Sequence, residues 1–231
     1  MNSAPAPLDR TGLTAALGAY VIWGLMPLYL LLVRSVPAFE FVGWRIIWTL
    51  PLCLLIALLR KQWPELRAAF AHRRTLGWLA LSATLIAVNW VVYVWAIQNG
   101  QVYAASLGYY INPLVNVLLG TMLLGERLTR RQWIAVALAA IGVSLLAAGA
   151  LTTLWISLTL ALSFGSYGLI RKQVAVGAVP GLTIESTLLL LPSFGVALYY
   201  AQTEGSSFAV STELSLAIMA GGAFTAFPLL L

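Results

Sequence analysis

The sequence is short of charge and of the residue types that carry most catalysis. Its 231 residues hold one cysteine, one histidine and seven acids, and only 9% are charged. Soluble domains carry about 25% charged residues. Thirteen bases and seven acids cannot coat a water-soluble globule of this size. An apolar share of 61% equally excludes a disordered chain. Cys53 stands alone, so no intrachain disulfide can form. His72 lies in a basic stretch, and with Cys53 it cannot build a metal site. The sequence has no G-x-x-x-x-G-K-[ST] loop, no H-E-x-x-H and no G-x-S-x-G. Asp9, the one aspartate, precedes the first apolar run and cannot form an intramembrane dyad. No catalytic constellation is present, so the chain does not read as an enzyme, and it requires no cofactor.

What is there is apolar sequence in long blocks. Mean hydropathy is +0.92. No charge occurs in 75–125, 132–170, 186–203 or 214–231. A helix crosses the hydrocarbon core in about 20 apolar residues. Eight spans are expected, at 13–33, 39–59, 75–97, 103–124, 132–149, 153–171, 182–202 and 214–231. The run 13–33 is too long for a signal-peptide core, and no small-residue cleavage site follows it, so it reads as a retained span. The lipid bilayer is the implied environment.

The net charge of +6 does not mark a nucleic-acid binder, because the bases sit between apolar segments. Arg60, Lys61, Arg67, Arg73 and Arg74 follow span two. Arg127, Arg130 and Arg131 follow span four, and Arg171 and Lys172 follow span six. The opposite connectors hold Arg34, Glu204 and Glu213. The positive-inside rule then puts the N-terminus in the cytoplasm. In the 60–74 connector, Trp63, Leu66 and Phe70 fall at i, i+3 and i+7, with Pro64 suited to a helix start. An interfacial helix on anionic lipid and a plain basic loop both fit this pattern.

Three landmarks recur. Trp23-Gly24 matches Phe164-Gly165, Val36-Pro37 matches Val179-Pro180, and Pro51 matches Pro192, at offsets of 141, 143 and 141 residues. Five spans separate the copies, so the second runs in the opposite orientation. This is the pattern of inverted-repeat transporters. The expected organisation is a cytoplasmic tail at 1–12, a first five-helix repeat at 13–149, and an incomplete second repeat at 150–231. In that reading the chain stops within helix eight.

Polar groups inside spans are costly and usually face a cavity or another helix. Ser106, Tyr109, Asn112 and Asn116 share one face of span four. Asn89 and Tyr93 lie four apart in span three, beside Trp90 and Trp95. Ser163 and Tyr167 repeat that spacing in span six, and Trp23 lies in span one. The stripes fit a central substrate cavity, and they also fit interhelical hydrogen bonding. Arg45 in span two needs a carboxylate, a carbonyl or an anionic substrate. Glu185, with Arg171 or Lys172 as partner, is the candidate coupling or gating group. Glu40 reads as an outer-interface residue beside Arg34. Ala135, Ala139 and Gly142 form a small-residue stripe in span five, suited to helix packing or to pairing of two copies.

Gly108-Tyr109-Tyr110-Ile111-Asn112-Pro113-Leu114, followed by Gly125-Glu126-Arg127-Leu128, resembles span four and its cytoplasmic end in the drug/metabolite transporter superfamily. Asn89-Trp90-x-x-Tyr93-x-Trp95-Ala96, Arg45-x-x-Trp48 and Ser163-Phe164-Gly165-x-Tyr167-Gly168-Leu169-x-Arg171-Lys172 resemble its EamA-type RarD branch, the chloramphenicol-sensitive proteins. The resemblance covers essentially the whole chain. It implies an all-α polytopic membrane protein of ten helices in two inverted halves, placed in the bacterial inner membrane with a central substrate path. The functional expectation is a secondary transporter exporting small organic metabolites or drugs, with anionic or aromatic substrates. Trp23, Arg45, Asn89, Trp90, Tyr93, Tyr109, Asn112, Asn116 and Tyr167 would bind substrate. A non-transporting membrane assembly protein is the alternative.

Overall fold

The computed structural model describes residues 10–229. The tail expected at 1–12 lies mostly outside the described residues, as do the last two positions of span eight. Among the described residues nine α-helices follow in order: α1 Arg10–Leu32, α2 Ala38–Leu59, α3 Trp63–Ala71, α4 Arg73–Gln98, α5 Val102–Leu123, α6 Arg130–Ala148, α7 Leu154–Gln173, α8 Ala178–Thr203 and α9 Thr212–Ala226. No strand occurs among the described residues. An all-helical chain is one of the two architectures lipid accepts, because each helix satisfies its own backbone groups.

Local chemistry sets the boundaries. Pro37 caps α2, and Lys61, at φ 55, follows its end. His72 caps α4 by accepting from the Thr75 amide at 3.2 Å. Thr129 and Gln132 form a reciprocal capping box at the start of α6. Ser211 caps α9 through the Leu214 amide. Pro64 sits in the first turn of α3, so of the two readings of the 60–74 connector the structure takes the helix.

Two expected boundaries move. α8 starts at Ala178 rather than 182, because Pro180 lies in the first turn, where a missing N–H costs nothing. Glu185 therefore lies about two turns inside the helix. α9 ends at Ala226 and tightens into a 3₁₀ turn at Phe227–Leu229 around Pro228. Eight spans were expected. Among the described residues, α2, α4, α5, α6, α8 and the segment Leu151–Gln173 containing α7 are long and apolar enough to cross a membrane. Leu17–Leu32 forms a shorter apolar helix.

In lipid, apolar helix faces gain nothing by leaving the solvent, so close approach and polar ties decide the packing. α2 lies along α8 and α9, α8 along α2 and α4, and α7 against α4 and α5. Gly222 lets the α9 backbone meet that of α2: a methyl there would stand 2.7 Å from the Trp48 carbonyl carbon. The main core joins Val33, Val36, Phe41, Val94 and Ile218. α6 is the exception, since it touches α5 and buries none of its own residues.

Candidate functional site

Arg45 comes from the second turn of α2 and is 5% exposed. Its Nε donates to Thr225 Oγ1 of α9 at 2.5 Å, and its guanidinium lies 4.6 Å over the Trp90 ring of α4. No carboxylate lies within ion-pair distance of it among the described residues, and no acceptor meets its terminal nitrogens. The Tyr29, Tyr93 and Tyr109 hydroxyls are within its electrostatic reach. Tyr93 and Tyr109 meet edge to face at 5.9 Å, joining α4 to α5. Groups from α1, α4, α5 and α9 thus surround one α2 guanidinium that has no carboxylate partner among the described residues.

The expected asparagines fall at different sites. Asn89 donates both amide hydrogens across to α7, to the Leu160 carbonyl and to Ser163 Oγ, each at 3.0 Å. Asn112 and Asn116 of α5 face Gly165 of α7, where a methyl would come 3.4 Å and 3.1 Å from their Oδ1 atoms. Asn112 Oδ1 is buried without a hydrogen-bond partner. Asn116 borders a cavity of ≈ 420 Å³ with Gly120, Gly165, Gly168, Glu126 and Lys172. Gly125, at φ +66, turns the chain so that Glu126 folds back over Gly120 and accepts from Lys172 Nζ at 3.0 Å. The Gly-Glu pair therefore ties the end of α5 to the end of α7.

A second ionic cluster lies between α4, α7 and α8. Glu185 is 1% exposed. It accepts from Ser82 Oγ at 2.6 Å and from the Tyr167 hydroxyl at 3.5 Å, and it stands 3.8 Å from Arg171 Nε. The structure thus selects Arg171 as its partner, while Lys172 goes to Glu126. Arg171 also donates from Nη2 to the Gly177 carbonyl at 3.0 Å, and its Nη1 is buried and unpartnered. Glu65 of α3 reaches the same turn, accepting from the Gly177 amide at 2.6 Å. Trp23 stands apart, 45% exposed and edge-on to Tyr20 of its own helix.

Glu40 departs from the sequence reading, because it is fully buried. Its carboxylate accepts from the Ser207 amide at 2.8 Å, Ser207 Oγ at 2.5 Å, Ser206 Oγ at 3.3 Å and Trp44 Nε1 at 3.3 Å. Phe208 stacks on Trp44 at 4.4 Å. The α8–α9 loop is thus strapped onto the start of α2. Thr225, Tyr29, Ser82 and Glu65 were also missed by the sequence reading. Their only signal was a polar side chain in or beside an apolar run.

The comparisons with known proteins decide the family. The sequence profile of the EamA-like transporter family matches residues 10–148. The chain belongs to that family. It is therefore a polytopic helical membrane protein of a transporter family. It is 42% identical over 222 residues to protein RarD of Streptomyces exfoliatus, covering 96% of this chain and 70% of that one. An uncharacterized transporter of Pseudomonas aeruginosa is 46% identical over 224 residues, covering 95% of this chain and 74% of that protein. The chloramphenicol-sensitive protein RarD of the same species is 34% identical over 215 residues, covering 90% and 71%. No solved structure matches the chain significantly.

Proposed function

We propose that the protein is a secondary transporter of the bacterial inner membrane that exports small organic metabolites or drugs by alternating access. The observation that carries this reading is Arg45. A buried guanidinium with no carboxylate partner and free terminal nitrogens among the described residues is a costly arrangement unless an anion visits it. Its planar fork suits a carboxylate or phosphate, and the Trp90, Tyr93 and Tyr109 rings offer an apolar wall. Substrates are then small organic anions with an apolar or aromatic body. Asn112, Asn116 and Tyr167 extend the proposed substrate path, whereas Asn89, bonded to α7, and Trp23, which stands apart, do not line it in this conformation. Arg171 and Glu185 are the proposed coupling or gating pair.

Two halves of opposite orientation fit the packing. α2 pairs with α8, and each also packs on a further helix of the other half, α9 and α4 respectively. The exposed Ala135/Ala139/Gly142 face of α6 is the proposed contact between two copies. The family assignment favours transport over the alternative of a purely assembling protein.

Proteoliposomes loaded with a metabolite mixture test the assignment. Arg45→Ala should lower flux of anionic compounds at least tenfold, and Glu185→Gln should remove the response to an imposed pH gradient. Wild-type flux from an Arg45→Ala/Asn112→Ala double variant would overturn the site.

A further inference from the structure

A second cavity lies away from the proposed path, at the end of the bundle where the bases gather. It has a volume of ≈ 390 Å³ and lies between α2, α3 and α8. Leu50 and Leu54 of α2, Leu66 and Phe70 of α3, and Thr183 and Thr187 of α8 line it. The two threonines add no polarity. Thr183 Oγ1 donates to the Val179 carbonyl at 2.8 Å and Thr187 Oγ1 to the Thr183 carbonyl at 2.7 Å. Their hydroxyls are spent on their own helix, so a polar metabolite would find no free donor on that wall. The neighbouring face of α2 carries Leu55, Leu58 and Leu59, all exposed, so the groove continues an apolar surface turned to lipid.

The rim has the opposite character. Trp63 and Arg67 border the groove, with the Arg67 guanidinium 5.6 Å over the Trp63 ring. Aromatic rings of this kind settle at the headgroup level. Lys61, Arg73 and Arg74 flank α3 in sequence. The single acid of the helix, Glu65, is turned to the Gly177 amide. No carboxylate lies within ion-pair distance of Arg67 among the described residues.

We propose that this groove is a binding site for an anionic phospholipid, with one acyl chain between α2, α3 and α8 and the phosphate on Arg67. Charge complementarity selects the lipid class: an apolar slot beneath an unpaired guanidinium on a basic helix fits a chain joined to a negative headgroup. The site rests on the membrane embedding of the chain and not on the transport reading. α3 holds the α7–α8 turn through Glu65, so the lipid sits on the helix that braces the turn beside Arg171.

Native mass spectrometry of the delipidated protein, titrated with dioleoylphosphatidylglycerol or dioleoylphosphatidylcholine, tests this. The wild type should retain one phosphatidylglycerol at concentrations where phosphatidylcholine is not retained. Arg67→Gln should weaken retention by about fivefold, the share of one interfacial base, and Arg67→Glu by more. Arg131→Glu, the same charge reversal on α6, should leave it unchanged. Equal loss in both charge-reversal variants would mean diffuse attraction, and equal retention of the two lipids would mean no headgroup recognition. Displacement by soluble glycerol phosphate as effective as by lipid would mean a free-anion site. Any of these three results overturns the proposal. Unfolding temperatures of the variants matched to wild type keep loss of fold from imitating loss of binding.

Discussion

At the scale of the residue, two buried ionisable side chains, Glu40 and Arg45, are handled in opposite ways. Glu40 is saturated by four donors, while Arg45 has one hydrogen-bond acceptor and a ring face. Removing the first should damage structure, and removing the second should damage flux. Glu40→Ala leaves four donors facing nothing, at about 1–3 kcal/mol for each group left unsatisfied. We expect its unfolding temperature in detergent to fall by several degrees, with Glu40→Gln, which keeps one acceptor oxygen, falling less. Arg45→Ala should melt close to wild type. Arg45 and Glu185 were legible in the sequence because charge inside an apolar run stands out. The ionic partner of Glu185 was legible too, since Arg171 was one of two bases named for it, but the hydroxyl partners were not, because Thr225 lies 180 residues from Arg45 and Ser82 lies 103 from Glu185. Hydroxyls are common in spans and carry no address. Glu40 misled for the same reason: Arg34 was near in sequence, whereas the donors of the strap lie 166 and 167 residues away.

At the scale of the element, contact depends on how closely two backbones approach. Gly222 and Gly195 are both helical glycines, yet only the first has a neighbour. A methyl at Gly222 would stand 2.8 Å from the Thr49 amide nitrogen, and at Gly195 it would meet nothing within 4 Å. Gly222→Ala should therefore destabilise by about 1–3 kcal/mol, as overpacking does. Gly195→Ala should be neutral or slightly stabilising. Thermal unfolding of the two variants side by side measures the difference. The existence of the long helices was readable, because the apolar runs are long enough to cross lipid, whereas that of α3 was not, because its basic stretch fits a helix and a loop equally. Ends were less so: Pro180-Gly181 reads as a loop, although a proline in a first turn sits comfortably inside a helix. Packing partners were unreadable. The small-residue stripe of α6 suggests a buried seam, and a methyl at Gly142 would meet nothing within 4 Å.

At the scale of the whole molecule, charge is sorted by side. His72 and Arg74 fall at the basic end, and Glu204 and Glu213 at the other. Single cysteines at position 72 or 204, on a Cys53→Ser background, should differ in their reaction with an impermeant maleimide in cells before and after permeabilisation. Position 204 should label without permeabilisation and position 72 only after it. The reverse pattern would overturn the orientation expected from the positive-inside rule. Helix lengths add a constraint that charge does not. α4 and α8 have 26 residues each, whereas α6 has 19. At about 1.5 Å per residue the long pair outreaches a hydrocarbon core of about 30 Å, and α6 falls just short of it. The long helices can tilt to fit. Among the described residues α6 packs only on α5, so most of its surface is left to lipid or to the second copy proposed above. Among the described residues, the least buried helix is also a short span, so it is the place where a change of bilayer thickness would first be felt.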